Sequence, residues 1–457
     1  MSDKTDENDT VSALCVYIAA TMSREIPPHV AVKAKHHILD TIASMVSGAA
    51  LEPGHMAVKY ARSLGGTSEA LVIGTNLETT AVNAALANGM MAHADETDDS
   101  HLLARAHIGC SVVPAALAMA EREQSDGNAF LRAVVLGYDV GARFNLSLNL
   151  GGIKTYALCT HSHGPSFGAA AAAAALAGLN ADQARFLLSY AVQQASGLKT
   201  YMRDIEHIEK AFMFGGMPAR NGVTSATMVA AGFSGITDDI DGRDGYLAAF
   251  SDDPRPEELV AELGQRFEVI RTSIKKWSVG SPIQAALDSV EVLMNEHDFR
   301  AQEIATITAR LPDDRAYIVD NRNMPDICLQ HLIAVMLIDG GLSFATCHDD
   351  ARMEDPEVIA LRNKVTLVPE AFLTEARPER QAIIEVILKD DREFNHRTLL
   401  VRGTPENPME TAEVEEKAHG LMTPVLGTGR TKDLIRAIAD IESLAKVRDL
   451  RPLLICD

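Results

Sequence analysis

The chain holds a single tryptophan among 457 residues, and aromatic side chains make up only 5% of it. Cysteine is sparse too: Cys15, Cys110, Cys159, Cys328, Cys347 and Cys456 are scattered without a close pair. That spacing offers no disulfide framework, zinc ribbon or iron–sulfur site, and points to reduced thiols in the cytoplasm. No apolar run is long enough for a bilayer; the alanine stretch 169–175 falls far short. Positive charge is outnumbered, leaving a formal net charge of -21. Without a basic stripe the chain lacks the phosphate contacts that a nucleic acid or an anionic membrane requires. A small anionic substrate is not excluded, because a local positive cleft focuses the field. The acidic start lacks an apolar signal core, and Ser2 to Thr10 is the one segment that reads as disordered.

What is present is ordinary globular composition, 47% apolar and 23% charged, in a chain long enough for one large and one smaller domain. From Thr10 to about Gly235, Ala and Leu recur at helical spacing and Gly or Pro punctuates the ends. Asn180-Ala-Asp-Gln reads as a helix cap, and scarce aromatics fit close-packed alanine-rich helices. After about Arg271 the character changes. Ile304 to Arg310, Lys364 to Val368, Ala382 to Leu388 and His396 to Arg402 alternate apolar and polar residues as antiparallel strands do. Helical stretches at Pro282 to Glu296 and Asp326 to Asp339 lie between them, and helix resumes from Thr411. The expectation is a mainly α protein: helical residues 1–270, an α+β lid at 271–407, and a helical return at 408–457.

Five of the fifteen histidines fall between His93 and His163. His93-Ala-Asp-Glu-Thr-Asp-Asp-Ser-His101 follows a helical run. If that helix continues, His93, Glu96 or Thr97, and Ser100 share a stripe. A charge run of this kind is most often a solvated helix end, but here polar groups crowd directly before another apolar helix. His107 precedes that helix, and His161-Ser-His163-Gly-Pro165 precedes the alanine-rich one. Unpaired N–H groups and the helix dipole make such positions suit a carboxylate and a neutral imidazole. His107 and His163 are the candidate acid–base residues, and His161 reads as a helix cap. Lys210 enters a glycine turn, Gly215-Gly216, whose backbone can approach a ligand closely, and Pro218 opens the next helix. A lone lysine there is usually solvated, but Lys210 is placed to hold a carboxylate or steady an enolate. Lys275 and Lys276 flank Trp277 at the joint between the two expected domains, a common place for ligands.

Together these segments resemble the MmgE/PrpD family, which contains 2-methylcitrate dehydratases, cis-aconitate decarboxylases and iminodisuccinate epimerases. His93 to Ser100 resembles the family's His-x-x-Asp-x-Asp-Asp-Thr/Ser signature, with Glu96 where aspartate is usual, and His107 follows after a longer spacer. His163-Gly-Pro-Ser-Phe-Gly168 is similar to its histidine segment, one residue short, which leaves His161 as the other register. Lys210 to Gly222 resembles its lysine-to-glycine segment, and Gln330 to Gly341 its Gln-Tyr helix, with His331 in place of the tyrosine. Arg402-Gly-Thr-Pro-Glu-Asn-Pro408 resembles its closing turn. Decarboxylase-like members carry a further histidine where this chain has Gly280.

The resemblance implies a helical domain built from both chain ends with a smaller α+β lid, a homodimer, and no metal or cofactor. It implies proton abstraction beside a carboxylate of a small di- or tricarboxylic acid, with dehydration ranked before epimerisation and decarboxylation. His163 and His107 form the acid–base pair, Lys210 and Lys275 hold carboxylates, and Glu96, Ser100, His101 and His331 complete the pocket. Two other classes compete. Asp95-Glu-Thr-Asp-Asp99 mimics the acidic motif of a magnesium-dependent isoprenoid synthase, against which the low aromatic content and the strands both count. A non-catalytic carboxylate-binding protein is the third.

Overall fold

The computed structural model describes residues 10–456. The polar start expected to be disordered lies outside them except for Thr10, which opens a helix, Thr10–Ala19. The protein is mainly α with a smaller α+β part, and its compact units are two. The first takes the described residues up to Ala94, then Asp98–Thr272 and those from Thr411 onward; the second takes Asp95–Thr97 and Ser273–Glu410. Among the described residues no helix is long and apolar enough to cross a membrane.

The first unit is a helical assembly in which α1 (Pro28–Gly48), α2 (Ala81–Ala92), α3 (Gly109–Arg122), α4 (Gly127–Ser147), α5 (Thr160–Leu176) and α6 (Met217–Ala230) hold the candidate residues. Their starts are written in the sequence. Thr80 caps α2 by accepting from the Asn83 N–H, and Asp126 caps α4 by accepting from Ala129. Asn180 makes the expected cap and, with Gln183 bonding back to it, a full capping box, and Pro218 is the second residue of α6.

Small residues set how deeply α4 and α5 pack. A Cβ on Gly168 would stand 2.4 Å from the Gly137 carbonyl oxygen, and one on Gly164 would stand 2.2 Å from that of Gly141. The two backbones therefore touch along a four-residue repeat on each helix, which fixes where α5 begins. Gly168→Ala should cost about 1–3 kcal/mol, the usual scale of overpacking a close contact. Thermal melting reads it; an unchanged Tm would mean that the helices are not in this contact.

Within α7 (Gln284–Glu296), α8 (Leu329–Asp339) and a four-stranded sheet lies the core of the second unit. The strands are β1 (Ile304–Pro312), β2 (Val365–Glu370), β3 (Ala382–Leu388) and β4 (Glu393–Thr398), in spatial order β2-β1-β3-β4. β3 buries Ala382, Ile384, Val386 and Leu388, the period-2 signature of a strand with one covered face. A register shift between Ile304 and Thr306 lets Ile304 and Ile307 both point inward. Two expectations are corrected here. β2 pairs with β1 in parallel, not antiparallel, because helices intervene between them, and β4 starts at Glu393 and ends at Thr398. Trp277 is a structural anchor: its indole donates to Asp288, 2.9 Å, while Gln284 clamps its backbone on both sides.

The chain returns to the first unit through α9 (Thr411–Ala439), which kinks at Gly427, where φ is 76°. Lys417 on α9 reaches Asp40 on α1 at 2.6 Å. Burial pushes the Asp40 carboxyl up to about 6 against the pull of that ammonium.

Candidate active site

Helix α2 stops at Ala92, and His93 follows with φ -123° and ψ 36°, so the helical stripe expected through Glu96 and Ser100 does not form. The chain instead turns Asp98 and Asp99 to different partners. Asp98 is fully buried, with His107 Nδ1 3.0 Å from one carboxylate oxygen and His93 Nδ1 3.0 Å from the other. Burial alone would raise its carboxyl, but the two imidazoles outweigh that and hold it well below the usual range. Asp99 faces the scaffold. It accepts from Tyr138 Oη at 2.5 Å and from the Gly109 N–H at 3.1 Å, and lies 2.7 Å from His37 Nδ1. One carboxylate thus ties two histidines together, while the next locks the segment to α1, α3 and α4.

Opposite, α5 begins at Thr160, so His161 and His163 both lie inside its first turns rather than ahead of it. They face different surroundings. The His161 ring stacks on Phe214, centroids 4.1 Å apart and 8° between planes, and sits 5.0 Å from the His107 ring. Phe214 also stacks on His93, at 4.4 Å and 19°. Two parallel partners that close must occupy opposite faces. Phe214 is held in a π-helical turn, Phe212–Gly216, a geometry often found at functional sites. The Lys210 ammonium lies 5.3 Å from the same ring centroid. Burial first, then the charges of His107, His93 and Lys210, push the His161 imidazole well below its ordinary value.

His163 goes elsewhere. Its Nδ1 is 3.3 Å from Tyr246 Oη and its ring is 4.9 Å from Phe250, an aromatic nest without a charged partner. Burial lowers it to about 4. The ring that joins His107 and Lys210 is thus His161, which sequence alone had read as a cap. The turn Gly215-Gly216 also differs from expectation: a Cβ on Gly215 would stand 1.9 Å from the Gly89 carbonyl oxygen. These glycines let backbone meet backbone on α2, not a ligand.

This order of segments, an acidic histidine motif, a histidine on an alanine-rich helix and a lysine before a glycine turn, covers the length of a recognised family. Residues 12–259 match the MmgE/PrpD N-terminal domain and residues 277–443 the MmgE/PrpD C-terminal domain. The chain belongs to the MmgE/PrpD family. It is 25% identical over 489 residues to a cis-aconitate decarboxylase-like protein of Aspergillus oryzae, with 99% of each chain covered. It is 24% identical over 486 residues to a cis-aconitate decarboxylase of Aspergillus terreus, with 100% of this chain and 98% of that one covered. Membership and these relatives support a lyase at the level of the family.

The other expected residues fall into separate groups. In the first unit, His101 Nε2 lies 2.9 Å from Glu268 and its Nδ1 accepts from the Ala104 N–H at 3.1 Å. Both ring nitrogens are thereby engaged by the protein, and Ser100 is buried beside it. In the second unit, the buried Lys275 ammonium donates to the Glu96 carbonyl and lies 3.8 Å from its carboxylate. His331 on α8 is fully buried with neither ring nitrogen hydrogen-bonded, and burial followed by Arg362 and Arg352 lowers it to about 4.

Sequence reasoning missed His348. Its Nε2 lies 2.8 Å from Asp95 and its Nδ1 2.8 Å from the Phe344 carbonyl. Two acceptors require two N–H groups, so the ring is an imidazolium. Burial opposes the charge, but Asp95 outweighs it and raises the ring to about 9. No motif marks His348; only the fold brings it to Asp95. His207, packed 5.3 Å from His93, was also passed over, although it lies three residues before Lys210.

Within the first unit, linear spacing also hid a group that could hold an ion. Ligand atoms of His93, Asp98 and Cys110 lie within 4.8 Å of one another. The donor set suits an ion poorly, since His93 Nδ1 is turned toward Asp98. Burial and then Asp98 and Asp99 push the Cys110 thiol well up, away from the thiolate that binds metal.

Proposed function

We propose that the chain is a cofactor-independent lyase that removes a proton from the carbon beside a carboxylate of a small di- or tricarboxylic acid and expels water from the adjoining carbon, as a 2-methylcitrate dehydratase does. The observation that carries the reading is a pair of imidazoles 5.0 Å apart, one tied to a buried carboxylate and the other kept uncharged. His161 takes the proton, because its ring is neutral near pH 7, the form a base needs. The electrons of that C–H bond become the new C=C bond. His107 delivers a proton to the departing hydroxyl, which leaves as water. Asp98, against His107 Nδ1, fixes the tautomer and steadies the imidazolium, the service a buried carboxylate gives a catalytic histidine. Lys210 offsets the negative charge that grows on the substrate carboxylate as the proton leaves, usually the largest single contribution.

Decarboxylation is the second reading, supported by the relatives, one named as a cis-aconitate decarboxylase and the other as a cis-aconitate decarboxylase-like protein. There the carboxylate departs as carbon dioxide and the protonated histidine supplies the proton to the carbon left behind. Gly280 weighs against it, standing where decarboxylase-like members carry a histidine. A Cβ at Gly280 would meet nothing closer than 3.4 Å, so packing does not impose the glycine.

The test is incubation in D2O with citrate-like, malate-like and iminodisuccinate-like acids, followed by proton NMR, with and without exhaustive chelation. Olefinic signals from a hydroxy acid, undiminished by EDTA, are the expected result. Loss of carbon dioxide from an unsaturated acid favours the second reading, and inversion alone favours an epimerase. Inertness toward every acid would leave a binding protein. Activity lost to EDTA and restored by Mg2+ or Zn2+ overturns cofactor independence.

A further inference from the structure

Although the chain carries a net charge of -21, the sign inverts in one cavity of the first unit. This cavity, about 270 Å3, is lined by Arg105, Arg255, Arg266 and Arg271 with Glu258 as the one carboxylate among its lining residues. None of its lining residues belongs to the histidine cluster around Phe214. Arg266 is answered by Glu258 at 3.0 Å and by Glu268 at 2.8 Å, and Arg271 by Glu268 at 3.1 Å. Among the described residues no carboxylate lies within ion-pair distance of Arg105 or Arg255, so two guanidinium groups of the wall keep their charge uncompensated.

The wall is built rather than incidental. Arg143, fully buried, donates to the carbonyls of Glu258, Ala261 and Arg266, at 3.2, 2.6 and 3.0 Å, and so shapes the segment that carries Glu258 and Arg266. The Arg255 N–H donates to the Ser147 carbonyl at the end of α4, 2.8 Å. Arg105 is held in a left-handed conformation, φ 48°, in the turn closed by His101 and Ala106, and its carbonyl accepts from Thr160 Oγ1 at 2.6 Å. A non-glycine residue in that conformation is strained, so the surrounding contacts dictate where Arg105 sits. Positive charge extends beyond the lining: after burial, the charge of Arg105 is what lowers the nearby Lys199.

We propose that this cavity binds a small polyanion, a phosphate- or carboxylate-bearing ion with two or more negative charges, with Arg105 and Arg255 as its principal ligands. The guanidinium fork matches the paired oxygens of either group and donates two parallel hydrogen bonds to them. A cleft lined by one sign of charge concentrates ions of the other sign even on an acidic protein. Because both arginines are exposed, affinity falls as salt rises. Arg105 stands two residues before His107, so an ion held here rests against the turn that leads into the proposed active site.

The probe is inorganic pyrophosphate, titrated into the whole chain by calorimetry at low and moderate salt, with citrate as a second arm. Binding is read directly, so the result stands apart from whether the enzyme turns over any acid. The expected result for pyrophosphate is one saturable site per chain, with Arg105→Gln and Arg255→Gln each weakening it about tenfold or more, the scale of a lost charge-assisted pair. Citrate, which the proposed active site also takes, is scored only by the part of its binding that these two variants remove. Lys446→Gln, a change outside the cavity lining, leaves it unaltered. Unchanged thermal melting shows that the variants are folded. Loss of pyrophosphate affinity alone assigns a phosphate ligand, loss of citrate affinity alone a carboxylate, and loss of both a site that reads charge. Absence of saturable binding at millimolar probe overturns the proposal, as does an affinity that neither arginine variant changes.

Discussion

Replacing His161 by glutamine lowers kcat by about 10²–10⁴, the scale of a lost acid–base group, while His163→Gln keeps most of the activity. The two residues share one helical turn and one residue type, so the contrast isolates environment from identity. His161 stacks on Phe214 beside His107, whereas His163 faces Tyr246 and Phe250. Glutamine cannot shuttle a proton but keeps bulk and a polar end, so folding should survive in both variants. The pH profile adds a second readout. A base whose conjugate acid is held well below 6.5 loses activity only when the pH falls through that depressed value. The wild type should therefore keep its rate from pH 7 down past 6, and the acidic limb should vanish in the residual activity of His161→Gln. A dead His163→Gln beside a nearly normal His161→Gln would reverse the assignment, and two fully active variants would remove it.

Why the sequence could not choose between these residues is a matter of geometry. Positions i and i+2 on a helix project about 200° apart, so only one of them can reach a given partner. Which one does is decided by Phe214 and Tyr246, far along the chain, and by the depth at which the glycines of α4 and α5 interlock. Features carried by a local rule were legible: the Asn180 cap, Pro218 near the start of α6, the period-2 burial of Ala382 to Leu388, and helix resuming at Thr411. Features set by distant contacts were not. An alternating strand looks the same whether its neighbour runs parallel or antiparallel, so the direction of β2 was misread. The apolar run ending at Ala92 gave no sign that Asp95–Thr97 packs with the second unit, because the groups that hold it, His348 and Lys275, are remote in sequence. The acidic run that resembles a solvated helix end is in fact buried from Asp95 to Ser100, and its carboxylates Asp95, Asp98 and Asp99 face histidines that other segments of the chain supply.

Asp98→Asn should cost the enzyme about as much as losing a catalytic histidine, roughly 10²–10⁴ in kcat, although it changes almost nothing in volume. The argument is one of donors and acceptors. A carboxylate offers two oxygens, and both are used: one faces His107 Nδ1 and the other His93 Nδ1, each at 3.0 Å. An amide keeps one oxygen and replaces the other with an N–H donor. Whichever way it is turned, one histidine then faces a donor and must shift its proton to the far nitrogen. If that ring is His107, Nε2 carries the proton, Nδ1 is neutral, and no negative charge remains to steady an imidazolium; comparable swaps beside a catalytic histidine cost about 10⁴. If it is His93, His107 keeps its tautomer but still loses the charge. Asp99→Asn is the contrasting change. Its partners, Tyr138, His37 and the Gly109 N–H, belong to the scaffold, so its cost should appear in Tm more than in the ratio of kcat to that of the folded wild type. Measured side by side, a large kcat loss with a near-normal Tm for Asp98→Asn marks a carboxylate that works through its histidines. Near-normal turnover in that variant would mean that the buried charge between His93 and His107 serves folding alone.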